Sequence, residues 1–305
     1  MSGRTRQPGR RSASPAGAGT TIAPRLQWQG EASVRKSTTK RRASNVVLIV
    51  LLVAGFSLLL YPTVSNLWNS MNMSKAIVDY SEEVSELDAE QYVAFWERAE
   101  RYNQELAQDP DRFEMNNSER ADYESQLRVS DTGIMGSIDI PSLGVSMPIY
   151  HGTEESVLQV GAGHIEGSSL PTGGKGTHCA LSGHRGLPSS KLFTDIDKLE
   201  VGDTFALNVL DRTLTYEVDQ ILTVDPYDME ALAIDPEQDY CTLVTCTPYG
   251  INTHRLLVRG HRVANRVTED TVTHDTTSPT LLMVGVGMAM VAAGIALRVA
   301  SRRRG

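Results

Sequence analysis

Phe205-Ala206-Leu207-Asn208-Val209-Leu210-Asp211-Arg212-Thr213-Leu214-Thr215-Tyr216-Glu217-Val218 decides the fold class. Phe205, Leu207 and Val209, then Leu214, Tyr216 and Val218, are large and apolar at every second position. A period of two puts them on one face of an extended chain, and Asp211-Arg212 supplies a turn between the halves, so the stretch predicts an antiparallel hairpin. The same alternation extends outward in Ile138 and Ile140, and in Val145, Met147 and Ile149. Short strands recur at Cys241 to Cys246 and at His254 to Val263. Gly, Pro and Asp punctuate them, and no internal repeat is visible. Many short strands of this kind predict a closed barrel or sandwich of roughly 130 residues, placed at 131–266.

Ahead of the strands, residues 65–130 read as a helical segment. Ile77, Tyr80, Val84 and Leu87 recur at steps of three and four. Asp88 with Gln91 three residues later resembles a capping box, opening a second helix with Val93, Trp96, Ala99 and Leu106 as its apolar stripe. Asp109-Pro110 stops that helix.

Charge is unevenly distributed. The 305 residues hold 37 acidic and 29 basic side chains, a formal charge of −8. Residues 1–45 hold ten Lys/Arg against Glu31 alone, and Arg298 to Gly305 hold four arginines and no acid, leaving the body between them at about −21. An acidic body argues against nucleic acid as a partner, because phosphate tracking needs a positive field. Uncharged runs lie at both junctions, Val46 to Tyr61 and Leu281 to Leu297. Basic flanks on the outer side of each run predict two membrane spans, at 46–64 and 280–298, with both termini cytoplasmic. The tail 1–45 has no hydrophobic period and reads as disordered, with lipid within reach of its cations. Residues 267–279 read as a linker and 299–305 as a second basic tail. The body between the spans is then extracytoplasmic.

Three cysteines are too few for a disulfide scaffold. Cys246 ends an apolar strand and is followed by the turn Thr247-Pro248-Tyr249-Gly250, so a substrate can reach it. Cys241, five residues earlier, points to the other face, and Cys179 lies in a second buried strand; a bridge between these two is one possibility. A thiol needs a base or cation nearby to ionise at neutral pH. His184 in Leu181-Ser182-Gly183-His184 runs into a glycine turn as Cys246 does. Arg255 starts the strand after Cys246, so a hairpin brings its directional, permanent charge to the same rim, as an oxyanion would require. His178 and Cys179 face opposite ways as strand neighbours, and no paired Cys-x-x-Cys exists, so no metal site is expected.

Thr242-Leu243-Val244-Thr245-Cys246-Thr247-Pro248-Tyr249-Gly250, followed by Asn252-Thr253-His254-Arg255-Leu256-Leu257-Val258-Arg259-Gly260-His261-Arg262, resembles the active-site stretch of sortases, and most of all class C, the pilus-assembling group. Leu181 to His184 resembles the family's histidine segment, and Gly136 to Gly152 its early strands. A second, C-terminal span also resembles class C. The resemblance implies a mainly β fold, an eight-stranded sortase-type barrel with N-terminal helices, flanked by two transmembrane helices. It implies Cys246 as nucleophile, His184 as acid/base partner, Arg255 as oxyanion or substrate clamp, and no cofactor or metal. It further implies cleavage of an LPxTG-like sorting signal between Thr and Gly through a thioester, and transfer to a lysine amine of another pilin. A housekeeping-type enzyme attaching surface proteins to peptidoglycan and a silent membrane-tethered binding barrel are the alternatives. Class C members also resemble one another in an Asp-Pro-aromatic lid. Asp109-Pro110-Asp111-Arg112-Phe113 stands in that region but departs from the pattern, with two charged residues between Pro110 and Phe113. The expectation is that Asp109 or Asp111 pairs with Arg255 while Phe113 lies over Cys246.

Overall fold

The computed structural model describes residues 34–265 and residue 294, with side chains from residue 44 onward. Residues 1–33 of the expected tail 1–45, the linker, the second span apart from residue 294, and the last basic tail lie outside the described residues, whereas residues 34–45, expected as disordered tail, are the first turns of a helix. Eight strands close into one barrel: β1 (Ile134–Ile140), β2 (Val145–His151), β3 (Ala162–His164), β4 (Thr177–Ser182), β5 (Thr204–Val209), β6 (Arg212–Val224), β7 (Asp239–Thr247) and β8 (His254–Val263). Their order around the barrel is β1-β2-β3-β4-β7-β8-β6-β5, and β1 pairs with β5 to complete the circuit. Closure removes the free edges that an open sheet of this length would present. Two junctions, β2–β3 and β4–β7, are parallel and the rest antiparallel.

The alternation seen in the sequence fills the barrel. Ile138, Ile140, Met147, Ile149, Phe205, Leu207, Val209, Leu214, Tyr216 and Val218 are all buried. Phe205 stacks on Tyr216 with ring centroids 5.6 Å apart. Each such aromatic side chain contributes roughly 1.5–3 kcal/mol on leaving water. The β5–β6 turn falls one residue earlier than expected, on Leu210-Asp211, because Leu210 adopts φ 48° and donates its N–H to the Tyr80 hydroxyl at 3.0 Å. A tertiary contact from the helical segment thus sets the turn.

Helix α1 (Val34–Ser85) carries Pro62 in its interior. Contacts divide the chain between residues 56 and 57. In the first unit the helix exposes Val46, Leu48, Leu51, Leu52 and Val53 to their surroundings. Residues 44–85 are long and apolar enough to cross a membrane, the one such helix among the described residues. In the second unit, the later turns of α1 bury Met73, Tyr80 and Val84. Helix α2 (Ala89–Leu106) opens on the expected capping box: Gln91 N–H donates to Asp88 Oδ1, and Asp88 N–H to Gln91 Oε1, both at 2.8 Å. Its buried stripe is Trp96, Ala99, Asn103 and Leu106, whereas Val93 stays exposed. Asn103 replaces Val93 in the stripe because its amide donates to Leu170 O and Thr172 Oγ1 and accepts from Leu170 N–H, satisfying a buried loop. A third helix, α3 (Asn117–Ser125), has its own capping box from Asn116 and Glu119.

Candidate active site

Strand β7 has two faces. Cys241 and Leu243 join the barrel core, so Thr242, Val244 and Cys246 line the outer face. Strand β4 runs parallel beside it, pairing Ala180 with Thr242 and Ser182 with Val244. Cys179 and Leu181 are the core residues of β4, so Ala180 and Ser182 share the outer face with their partners. His184 follows Ser182 by two residues and continues that row toward the level of Cys246. On the other side, Cys246 is the direct cross-strand partner of Arg255 in β8. Strands β7 and β8 and the segment that leaves β4 therefore carry thiol, guanidinium and imidazole toward one rim. Each is partly exposed, as is Ser182, whereas Ala180, Thr242 and Val244 behind them are 0, 1 and 7% exposed.

Further contacts orient the imidazole and the guanidinium. His184 Nε2 lies 3.1 Å from Glu155 Oε2, on the short helix α4 (Glu155–Leu158) of the β2–β3 connection. Hydrogen bonds from Gln159 and from His184 hold the Glu155 carboxyl below its usual range, so a carboxylate faces the ring. With Nε2–H donating to Glu155, Nδ1 has no protein partner among the described residues and is left for proton transfer. The Arg255 guanidinium donates to the His254 carbonyl at 3.2 Å and reaches the Asn252 carbonyl at 3.5 Å. Among the described residues no carboxylate pairs with it. A cation held by its own loop and not neutralised by an acid remains available to a developing oxyanion. Glu155 was not legible in the sequence, because its only signal is an acidic pair in a loop.

The inner cysteines differ. Cys179 and Cys241 are cross-strand partners, both buried and both free. Burial pushes the Cys241 thiol well up, which disfavours a thiolate there. His164 and His178 are also buried: His164 Nδ1 meets the Tyr123 hydroxyl at 3.0 Å, and His178 Nδ1 donates to the Ala233 carbonyl at 2.8 Å. Among the described residues no group of His, Cys, Asp and Glu is placed to hold a metal.

The Asp109–Phe113 segment makes contacts other than the expected ion pair with Arg255. Asp109 and Asp111 are exposed, Asp109 Oδ1 accepts the Asp111 N–H at 2.9 Å, and the Arg255 guanidinium meets carbonyls rather than either carboxylate. Arg112 takes the anchoring role. Its guanidinium donates to the Gly167 carbonyl in the β3–β4 connection, and at 2.8 Å to the Leu232 carbonyl in the β6–β7 connection. It also sits 4.2 Å over the Phe113 ring, which packs on Gly167. A Cβ at residue 167 would come within 2.5 Å of the Arg112 carbonyl, and φ is +83° there, so glycine is required for this approach. The two acids of the segment face solvent, and the half-buried guanidinium is satisfied by two fixed carbonyls without an ion pair.

Residues 138–263 match the family description "Sortase domain". Sortase C1 from Streptococcus agalactiae is 54% identical and superposes with a TM-score of 0.60 over 63% of this chain and 99% of that one. A Clostridium perfringens sortase C, solved with the C-terminal cell wall sorting motif, is 40% identical with a TM-score of 0.53, over 63% of this chain and all of that one. Sortase A of Bacillus anthracis is 26% identical over 227 residues, 74% of this chain and 98% of that protein. With a sortase-domain match over the barrel and 54% identity across nearly the whole of a solved sortase C1, the chain belongs to the sortase family of cysteine transpeptidases.

Proposed function

We propose that the chain is a pilus-polymerising, class C-type sortase with Cys246 as nucleophile, His184 as proton carrier and Arg255 as oxyanion clamp. The observation that carries the reading is the direct pairing of Cys246 with Arg255 across β7 and β8, with His184 two residues past Ser182, the last outer-face residue of β4. In the first half-reaction Cys246 Sγ attacks the threonine carbonyl carbon of an LPxTG-like signal, and the carbonyl oxygen takes up charge beside Arg255. His184 gives a proton to the glycine nitrogen as the Thr–Gly bond breaks, leaving a thioester and a free amine. In the second half-reaction a lysine amine of another pilin attacks the thioester carbon. His184 removes its proton and Cys246 leaves, forming an isopeptide bond. The sortase C solved with a sorting motif supports this class of donor.

The Asp109–Phe113 segment acts in this reading as a strap rather than a charged plug. Arg112 ties together the β3–β4 and β6–β7 connections, which lead into β4, the strand that precedes His184, and β7, the strand that carries Cys246. Residues 46–64 anchor the protein, the region 280–298 spans a second time, and residues 65–266 work on the outer side with both termini inside. The apolar run exposed on α1 supports the anchor.

The deciding experiment incubates the full-length chain with candidate pilins and maps the products by mass spectrometry. The reading requires a threonine-to-lysine isopeptide between pilin copies. With a peptidoglycan-peptide amine supplied in the same mixture, pilin joined only to that amine would instead establish the wall-anchoring activity.

A further inference from the structure

We propose that Arg185 is a positioning residue for the transfer reaction, bracing the turn that carries His184 against the residue that follows Cys246. The inference rests on the assignment of Cys246 and His184 above. The starting point is where the β4–β7 ladder stops. Its last register pair is Ser182 with Val244, and its last backbone hydrogen bond runs from Gly183 N–H to Val244 O at 3.0 Å. Both reactive residues lie beyond that bond. From His184 and Cys246 onward, no backbone hydrogen bond joins the two segments among the described residues. Two chain ends leaving a ladder diverge or twist unless side chains hold them.

Arg185 supplies that hold. Its Nη1 donates to Thr247 Oγ1 at 3.2 Å, one residue past the nucleophile. Its Nη2 forms an ion pair with Asp197 in the short 3-10 turn Ile196–Lys198, so the guanidinium is fixed at both ends. The Tyr249 ring lies 5.9 Å from it and packs on Gly186, where a Cβ would fall 2.8 Å from the ring at φ +82°. The Arg185 side chain is only 11% exposed, and its Nε–H is buried with no partner. A desolvated guanidinium with an unmet donor is costly to keep, and such costs gather where geometry must be held for function. The planar fork also explains the residue type, since one ammonium cannot reach a carboxylate and a hydroxyl on two separate turns with fixed direction.

The test uses the full-length chain with an LPxTG peptide as donor and a lysine-containing peptide as acceptor. Thr247→Val keeps the shape of residue 247 and removes the acceptor; Thr247→Ser restores it. We expect Thr247→Val and Arg185→Lys each to lower kcat about tenfold or more, with KM within about twofold, because misplacing reacting groups costs rate before binding. Thr247→Ser recovers most of the loss. A Thr247→Val protein with unchanged kcat, whatever its melting temperature, overturns the brace. Cys246→Ala separates the two layers of the argument: activity in that variant overturns the nucleophile itself, whereas an inactive Cys246→Ala beside a fully active Thr247→Val overturns only the brace.

Discussion

Strand β7 carries two thiols five residues apart, and they have opposite fates. Cys241 points into the barrel, is 0% exposed and faces Cys179 across the parallel ladder. Cys246 points outward at the strand's end, partly exposed, opposite Arg255 and in the row that His184 extends. The amino acid is the same and the strand is the same. Face and distance from the strand's end decide which sulfur can meet a carbonyl carbon. The two histidines of the outer row repeat the contrast: His178 is 1% exposed and bonded to Ala233 O and Thr242 Oγ1, while His184 stands at the rim beside Glu155.

The largest expected effect separates the two thiols. Cys246→Ala should reduce transpeptidation at least ~10³-fold, as loss of a nucleophile does, while Cys241→Ala keeps most activity. Initial rates of peptide transfer check both, and equal losses in the two variants would erase the distinction drawn here. Next in size is the cation. Arg255→Ala should cost about 10²–10³ in kcat, the range for losing an oxyanion donor, and Arg255→Lys should recover only part of it.

The histidine contrast predicts a smaller, pH-dependent effect. Burial pushes His178 down to about 4 from the usual 6.5. Between those values the unfolded chain binds the proton and the folded one does not. The stability that neutral His178 contributes is therefore present above pH ~6.5 and is lost as pH falls toward ~4, up to about 3 kcal/mol. Urea midpoints of the wild type should drop through that window more steeply than those of His178→Gln, and parallel curves would contradict the burial argument. The smallest effect is on packing: Cys241→Ala removes one buried sulfur and should lower unfolding free energy by about 1–2 kcal/mol, read from the same denaturation curves.

Much of this was legible before the fold was known, for physical reasons that particular residues illustrate. Period two in Phe205–Val218 reports which side chains leave water, and those side chains did fill the barrel. The α2 start was legible because a capping box is a local hydrogen-bond motif. The rim was legible in part because Cys246 and Arg255 are joined by a hairpin, so sequence spacing translates directly into register. What escaped depends on distant partners. The β5–β6 turn moved by one residue through a hydroxyl 130 positions away. Asn103 displaced Val93 from a buried stripe because a loop near Leu170 needed its amide. Arg112, not Asp109 or Asp111, anchors the segment after α2, since its two acceptors are carbonyls contributed by two separate connections. Backbone acceptors leave no mark in a sequence.

The most direct measurement traps the acyl group. The full-length chain is mixed with an LPxTG peptide without an acceptor amine, quenched in acid, digested and mapped by mass spectrometry. The account predicts one adduct, the peptide cut after threonine and attached to Cys246 through a bond that hydroxylamine releases. An adduct on Cys179 or Cys241, or turnover with no adduct on Cys246, would contradict it.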